Sequence, residues 1–457
     1  MRVYPLGSPH IDKKVLDFNF ILISLLYLTA LSLASHFLRQ DVLAFGLLPF
    51  LFILLPVRMD AHNILLAYFA CTLVFFEAGK TGSFVSFFYA HDSLLIVFLV
   101  LFFLKRKELS RFTVPVNANL LMLYLFLGYA LVMSFVSLPA LGMDFYLLLD
   151  TKTLVTLAFL PVFFTANLYA PRRIFNFFIL LLSLISIHGL VCIVRYLTTF
   201  ERVMTWNEIY LSDGFIISLI LFRISKSAKL KLFLFASSFI SLVGIVISQT
   251  RGIWLSTILS VCLYLFFIRK EISLKALKMA FSLILFSFIL FSLVNNNFNL
   301  SNVISSRMVA YDKNELSKSN TSLGYRIYES YQVWKEKSFF GHGSGARIYL
   351  YNPFINPDKF ISWWSIHSEY FELLHKYGFL GLTLFSLFLF LLIRSALRIS
   401  RRRNKVVSAF GFVVFIILVN HSMVSITSGY FIREHIVVLL LLLTGLTHYY
   451  AKPPAYE

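Results

Sequence analysis

Arg251 interrupts an almost unbroken apolar stretch running from Lys231 to Ile268, within Gln249-Thr250-Arg251-Gly252. That stretch is about twice the length of one membrane span, so the four residues form a tight helix–helix connection at a membrane surface. An arginine at mid-bilayer costs roughly 3 kcal/mol on insertion scales, and less near the interface. Two readings of Arg251 stand: a snorkelling side chain on lipid phosphate, or a fixed cation at a cavity mouth that holds an anionic head group. Further cations, Arg307, Arg326 and Arg347, follow in a long connection. Guanidinium suits phosphate because it donates in a planar fork and keeps its charge near neutral pH. Arg326 begins an amphipathic helix predicted roughly over 322–336, with Tyr325, Tyr328, Val333 and Trp334 as packing residues. Nearby Glu329, Glu336 and Asp358 are read as ordinary surface salt-bridge partners for these arginines, a reading favoured for Arg307 and Arg347.

His367 stands in Ser365-Ile366-His367-Ser368-Glu369-Tyr370, where the long connection re-enters the membrane as a helix. Partial positive charge at a helix N-terminus disfavours imidazolium and attracts phosphate, so the ring stays neutral and able to accept a proton. A base beside an anion site suits a hydroxyl attacking a carbon whose leaving group is a phosphate ester. The competing reading is a capping or interfacial histidine. Gly341-His342-Gly343-Ser344-Gly345 could aim backbone N–H groups at an anion, although simple loop flexibility is the plainer reading. His188 reads as a core residue. His421 and His435, with Asn420, Arg433 and Glu434, read as interhelical hydrogen bonding. No Walker pattern, paired-cysteine site or His-Glu-x-x-His is present, so neither a metal nor another cofactor is expected. Cys71, Cys192 and Cys262 lie in apolar runs and read as small buried hydrophobes.

The elements that position these residues are membrane helices. Of the 457 residues, 59% are hydrophobic and 14% charged, and 51 Phe outnumber all 41 Lys and Arg. A soluble chain carries roughly 25% charged residues. The composition and its apolar runs therefore predict an all-α polytopic integral membrane protein with 12–14 transmembrane helices and one large, partly helical loop on the outer face. Fourteen candidate spans fall near 18–38, 42–57, 61–78, 84–104, 117–139, 152–171, 173–196, 210–224, 230–249, 252–269, 275–294, 371–397, 404–425 and 431–450. No cleavable signal peptide is evident, so the first run reads as the first span. The formal charge of +19 gathers in alternate loops. By the positive-inside rule these loops and both termini are cytoplasmic, and orientation and anionic membrane lipid account for them without nucleic acid. The loop at 295–370 is long for a compact architecture, which points to function. It holds Trp334, Tyr349, Tyr351, Trp363 and Trp364 among its glycines.

At these residues the sequence resembles the O-antigen ligase and O-antigen polymerase superfamily of bacterial envelope glycosyltransferases. Arg251-Gly-Ile-Trp-Leu255 is similar to the family's Arg-x3-Leu. His367-Ser368, nine residues, then Gly378-Phe-Leu-Gly381 is similar to its His-[Asn/Ser/Gln]-x9-Gly-x-x-[Gly/Thr/Tyr]. Gly324-Tyr-Arg326 through Trp334 to Gly341-His-Gly343 resembles its central loop. The resemblance covers roughly 230–425. It divides the chain into amino-terminal transmembrane helices 1–229, a ligase/polymerase-like core 230–425 that includes a periplasmic loop 295–370, and a last transmembrane helix and short cytoplasmic tail 426–457.

What the resemblance implies is a metal-independent transferase in the bacterial inner membrane, its active site facing outward, using a glycan on undecaprenyl diphosphate. Arg251 and Arg326 would bind the diphosphate, and His367 would deprotonate or orient the acceptor hydroxyl. Arg347, Trp363 and Trp364 are further substrate-binding candidates, the tryptophans stacking on sugars or anchoring the interface. The acceptor would be a lipid or glycan, and other envelope polysaccharide assembly proteins are possible partners. Motif form leans to a ligase, with a repeat-unit polymerase as the alternative and a small-anion, bicarbonate-like transporter as a more distant one. Protein O-oligosaccharyltransferases, which share this domain, usually carry a carboxy-terminal extension; this chain stops seven residues after Tyr450, which argues against that branch.

Overall fold

The structure is a computed structural model, and it describes residues 118–141, 147–148, 150–151, 153–155, 171–199, 208–248, 250–268, 322–351, 360–363, 366–402 and 404–426. The described residues include the helices and β-ribbon α1 (Ala118–Leu141), α2 (Pro171–Thr199), α3 (Glu208–Ile224), α4 (Ala228–Ser248), α5 (Arg251–Ile268), α6 (Ser322–Lys335), β1 (Ile348–Tyr351), β2 (Phe360–Trp363), α7 (Glu369–Ser400) and α8 (Lys405–Val424), and the described residues between 147 and 155 are also helical. The chain divides into two compact units, Met1–Ser110 with Leu168–Leu184, and Arg111–Asn167 with Ile185–Glu457. The described part of the first is the opening half of α2, which starts on Pro171, a residue suited to the first helical turn.

Five helices are long and apolar enough to cross a membrane: Ala118–Pro139, Phe177–Thr198, Ala228–Ser248, Glu369–Ser400 and Lys405–Val424; Gly252–Phe267 is a shorter apolar helix. They coincide with candidate spans read from the sequence. The candidates at 18–38, 42–57, 61–78, 84–104, 275–294 and 431–450 lie outside the described residues, as does most of 152–171.

Small side chains let these helices approach one another. Ser237, Ser238, Ser241 and Gly244 of α4 are buried, and a Cβ on Gly244 would meet Leu211 of α3 at 3.0 Å. With lipid as apolar as the helices themselves, such close backbone packing is a main source of association. In the tight turn between α7 and α8, Asn404 caps α8 by accepting from the backbone N–H of Val406 and Val407 at 3.0 and 3.3 Å, which satisfies orphan donors of the first turn.

The long connection before α7 is ordered where it is described. Helix α6 lies where periodicity predicts it. The antiparallel pair β1–β2, with Ile348 opposite Trp363 and Tyr351 opposite Phe360, was not expected from the sequence. Val333, Ile348, Leu350, Ile366 and Leu374 form one buried cluster, so α6, β1 and the start of α7 share an apolar core.

Candidate functional site

Helix α7 is not continuous. Gly378 takes φ 66° and ψ −169°, a region that only glycine visits without strain. The ladder breaks there, and the preceding connection fills the gap. Phe379 and Leu380 donate their N–H groups to the carbonyls of Ser338 and Phe339 at 3.3 and 3.2 Å, while His342 and Gly343 donate to the carbonyls of His375 and Lys376 at 3.0 and 2.8 Å. Irregular backbone beside a membrane helix is tolerated when protein satisfies it in this way.

The glycine turn is therefore neither an anion nest nor a flexible loop. His342 and Gly343 spend their N–H groups on α7, and Gly345 donates to Asp150 Oδ2 at 2.7 Å. Gly341, Gly343 and Gly345 have φ of 85°, 94° and 72°, and a Cβ on Gly345 would press on the Leu147 backbone at 2.7 Å. Ser344 is wholly buried and bonds Ser134 Oγ at 2.7 Å and the Tyr377 hydroxyl at 3.0 Å. The turn locks the connection to α1 and α7.

Beneath the turn lies an ion triad. Lys376 Nζ is 2.7 Å from Glu372 Oε1 and 2.9 Å from Asp150 Oδ2, with all three residues buried. The other Glu372 oxygen, Oε2, accepts the N–H of Ile366 at 3.3 Å, the residue before His367. One buried network thus holds both the glycine turn and the approach to the histidine. The sequence reading overlooked it, although a Glu and a Lys four apart inside an apolar helix were a legible signal.

His367 sits two residues before α7, where Ser368 takes an extended conformation as N-cap. Its imidazole Nδ1 is 2.6 Å from Glu329 Oε2, and its backbone N–H donates to the same oxygen at 3.3 Å. Tyr325, also on α6, meets the ring edge-on with centroids 6.1 Å apart. Glu329 is 0% exposed, whereas the His367 side chain is 41% exposed. Glu329 is thus not the surface salt-bridge acid that the sequence suggested; it is a buried carboxylate committed to the imidazole. Arg326 lies three residues earlier on α6, so one short helix carries a guanidinium and the partner of the histidine.

Arg251 is the first residue of α5, and Thr250 just before it donates its hydroxyl to Glu208 Oε2 at the start of α3. Further along α3, Asp213 is wholly buried and accepts from His421 Nε2 at 2.7 Å and Asn420 Nδ2 at 3.0 Å, both on α8. The interhelical bonding expected at His421 is present; His435, Arg433 and Glu434 lie outside the described residues. At the end of α8 the Ser425 carbonyl accepts the N–H of Glu369 at 3.0 Å. These links run from the start of α5 through α3 and the end of α8 to the start of α7, and thence through His367 to α6. They connect the start of α5, where Arg251 lies, to the start of α7 and to α6, which carries Arg326. Arg347 is exposed at the foot of β1. Trp363 closes the ribbon register opposite Ile348, and Trp364 and Arg307 lie outside the described residues. No group of three or more His, Cys, Asp or Glu able to hold a metal ion occurs among the described residues.

Residues 236–386 match the family model described as O-antigen ligase. The match spans about a third of the chain and includes Arg251, Arg326, Glu329, His367, Lys376 and both motif glycines. The resemblance to the O-antigen ligase and polymerase superfamily is borne out over this segment, which carries the signature of a family of membrane glycan transferases. A comparison with curated proteins finds no match.

Proposed function

We propose that the chain is a glycosyltransferase of the O-antigen ligase type, moving a glycan from undecaprenyl diphosphate to an acceptor hydroxyl at the outer face of the bacterial inner membrane. The observation that carries this reading is a half-exposed imidazole at the broken start of a membrane helix, bonded to a helix that also bears Arg326. In this mechanism Arg251 and Arg326 bind the diphosphate, and His367 takes the acceptor proton. The acceptor O–H bond breaks and its oxygen bonds to the sugar's anomeric carbon. The bond from that carbon to phosphate breaks, and its electron pair leaves with the diphosphate. Diphosphate is already a good leaving group, so the arginines need only stabilise the charge that grows on it. Arg347, Trp363 and Trp364 contact the glycan in this reading, and no metal or cofactor takes part.

The test is transfer by the purified full chain, supplied with a polyprenyl-diphosphate glycan and a lipid A-core acceptor. Formation of the glycosylated acceptor supports a ligase. Extension of the lipid-linked glycan by whole repeats moves the reading to the polymerase alternative. No transfer of either kind, with uptake of a small anion into vesicles, overturns the enzyme reading.

A further inference from the structure

We infer that Glu329 is a positioning residue for His367: its carboxylate fixes the ring with Nε2 facing the acceptor and holds the proton-bearing form once transfer begins. The inference rests on the reading of His367 as the base. An ionised carboxylate can only accept, so Nδ1 must carry the hydrogen in their 2.6 Å bond, and the lone pair of the neutral ring lies at Nε2. The same oxygen also accepts the His367 backbone N–H at 3.3 Å, so one atom sets both main-chain and ring orientation. Tyr325 confines the ring from a second direction, edge-on. Burial makes the pair asymmetric. The carboxylate is closed to water while the imidazole remains open to a substrate, and Glu329 Oε1 finds no hydrogen-bond partner in the structure. When Nε2 removes the acceptor proton, the resulting imidazolium is already paired.

Other titratable and charged groups on the surrounding elements include Tyr325, Arg326 and Tyr328 on α6, Glu369, Tyr370 and Glu372 on α7, and His421 on α8. Glu372 is engaged with Lys376 and Ile366, and His421 with Asp213. Among the described residues, Glu329 is the charged group bonded to the imidazole.

The experiment compares wild type, Glu329→Gln, Glu329→Asp and His367→Ala, each as the full chain in lipid nanodiscs. Transfer is measured against pH with a synthetic polyprenyl-diphosphate glycan. In parallel, the pH dependence of His367 modification by diethyl pyrocarbonate is followed by mass spectrometry without substrate. Glu329→Gln should lower kcat on the order of 100-fold, the scale of a general base out of position, with donor KM little changed. The pH dependence of its rate and of its His367 modification should both differ from wild type. Glu329→Asp should restore part of the rate. Wild-type kcat together with unchanged pH dependences in Glu329→Gln, while His367→Ala is inactive, overturns the inference and leaves the base intact. Activity retained in His367→Ala overturns the base reading instead. The modification profile reads the Glu329–His367 contact in either case, so a loss of rate with an unchanged profile also counts against the inference.

Discussion

The Lys376 ammonium lies 2.9 Å from the Asp150 carboxylate, although 226 positions separate them in the chain. With Glu372 at 2.7 Å from the same ammonium, one cation serves two buried carboxylates. Removing one member of a buried ion cluster leaves uncompensated charge, at about 3–5 kcal/mol. Lys376→Met should therefore lower stability by about that amount and release the glycine turn and the His367 approach together. Thermal unfolding in detergent measures this, and a variant as stable as wild type would show that the triad holds nothing.

Asp150 also predicts a pH dependence. Burial pushes its carboxyl above the usual 3.8, Lys376 pulls it back, and Glu372 adds to the rise. The folded protein thus holds this proton more tightly than the unfolded chain. The associated stability is complete below the ordinary carboxylate range and is lost as pH rises through the elevated folded value. Asp150→Asn should flatten the melting temperature against pH above the ordinary carboxylate range relative to wild type. An equal slope in both proteins contradicts the assignment.

Gly378 should not tolerate a side chain. Its φ of 66° and ψ of −169° suit glycine, and an added Cβ would strike the Gly341 N–H group at 2.5 Å. Such backbone strain costs about 1–3 kcal/mol before any clash. Gly378→Ala should yield little folded protein, whereas Gly128→Ala, with nothing within 4 Å of the new Cβ, should behave as wild type. Yield and retention volume on size exclusion distinguish the two.

Arg251→Ala, Arg326→Ala and His367→Ala should each insert in the membrane yet lose transfer, by about 100-fold or more for the histidine. Arg251→Lys should recover little, because an ammonium cannot donate the planar fork that phosphate favours. Donor binding by scintillation proximity separates the roles: the arginine variants should bind the lipid-linked donor weakly, and His367→Ala normally.

Composition and periodicity made the apolar helices legible, because a span needs a run of about 20 apolar residues and such a run is visible without any partner. The amphipathic spacing around Arg326 likewise placed α6, and the paired motifs pointed to His367. Glu329 was visible too, but as one acid among several on a polar loop helix. Nothing local distinguishes a carboxylate that faces water from one buried against an imidazole 38 residues away.

The glycine turn illustrates the same boundary. Three glycines in five residues announce unusual backbone, yet whether their N–H groups point at a ligand or at protein depends on what lies opposite. Here the opposite surface is a break in α7, and Asp150 stands below it. Sequence by itself determined that this chain suits a membrane, where its described apolar helices lie and which residue types could meet a phosphate. Tertiary structure alone decided the pairings of Glu329 with His367 and of Lys376 with Asp150. Hydrophobic length is a property of a segment, whereas a buried charge acquires its role only from the group that folding sets against it.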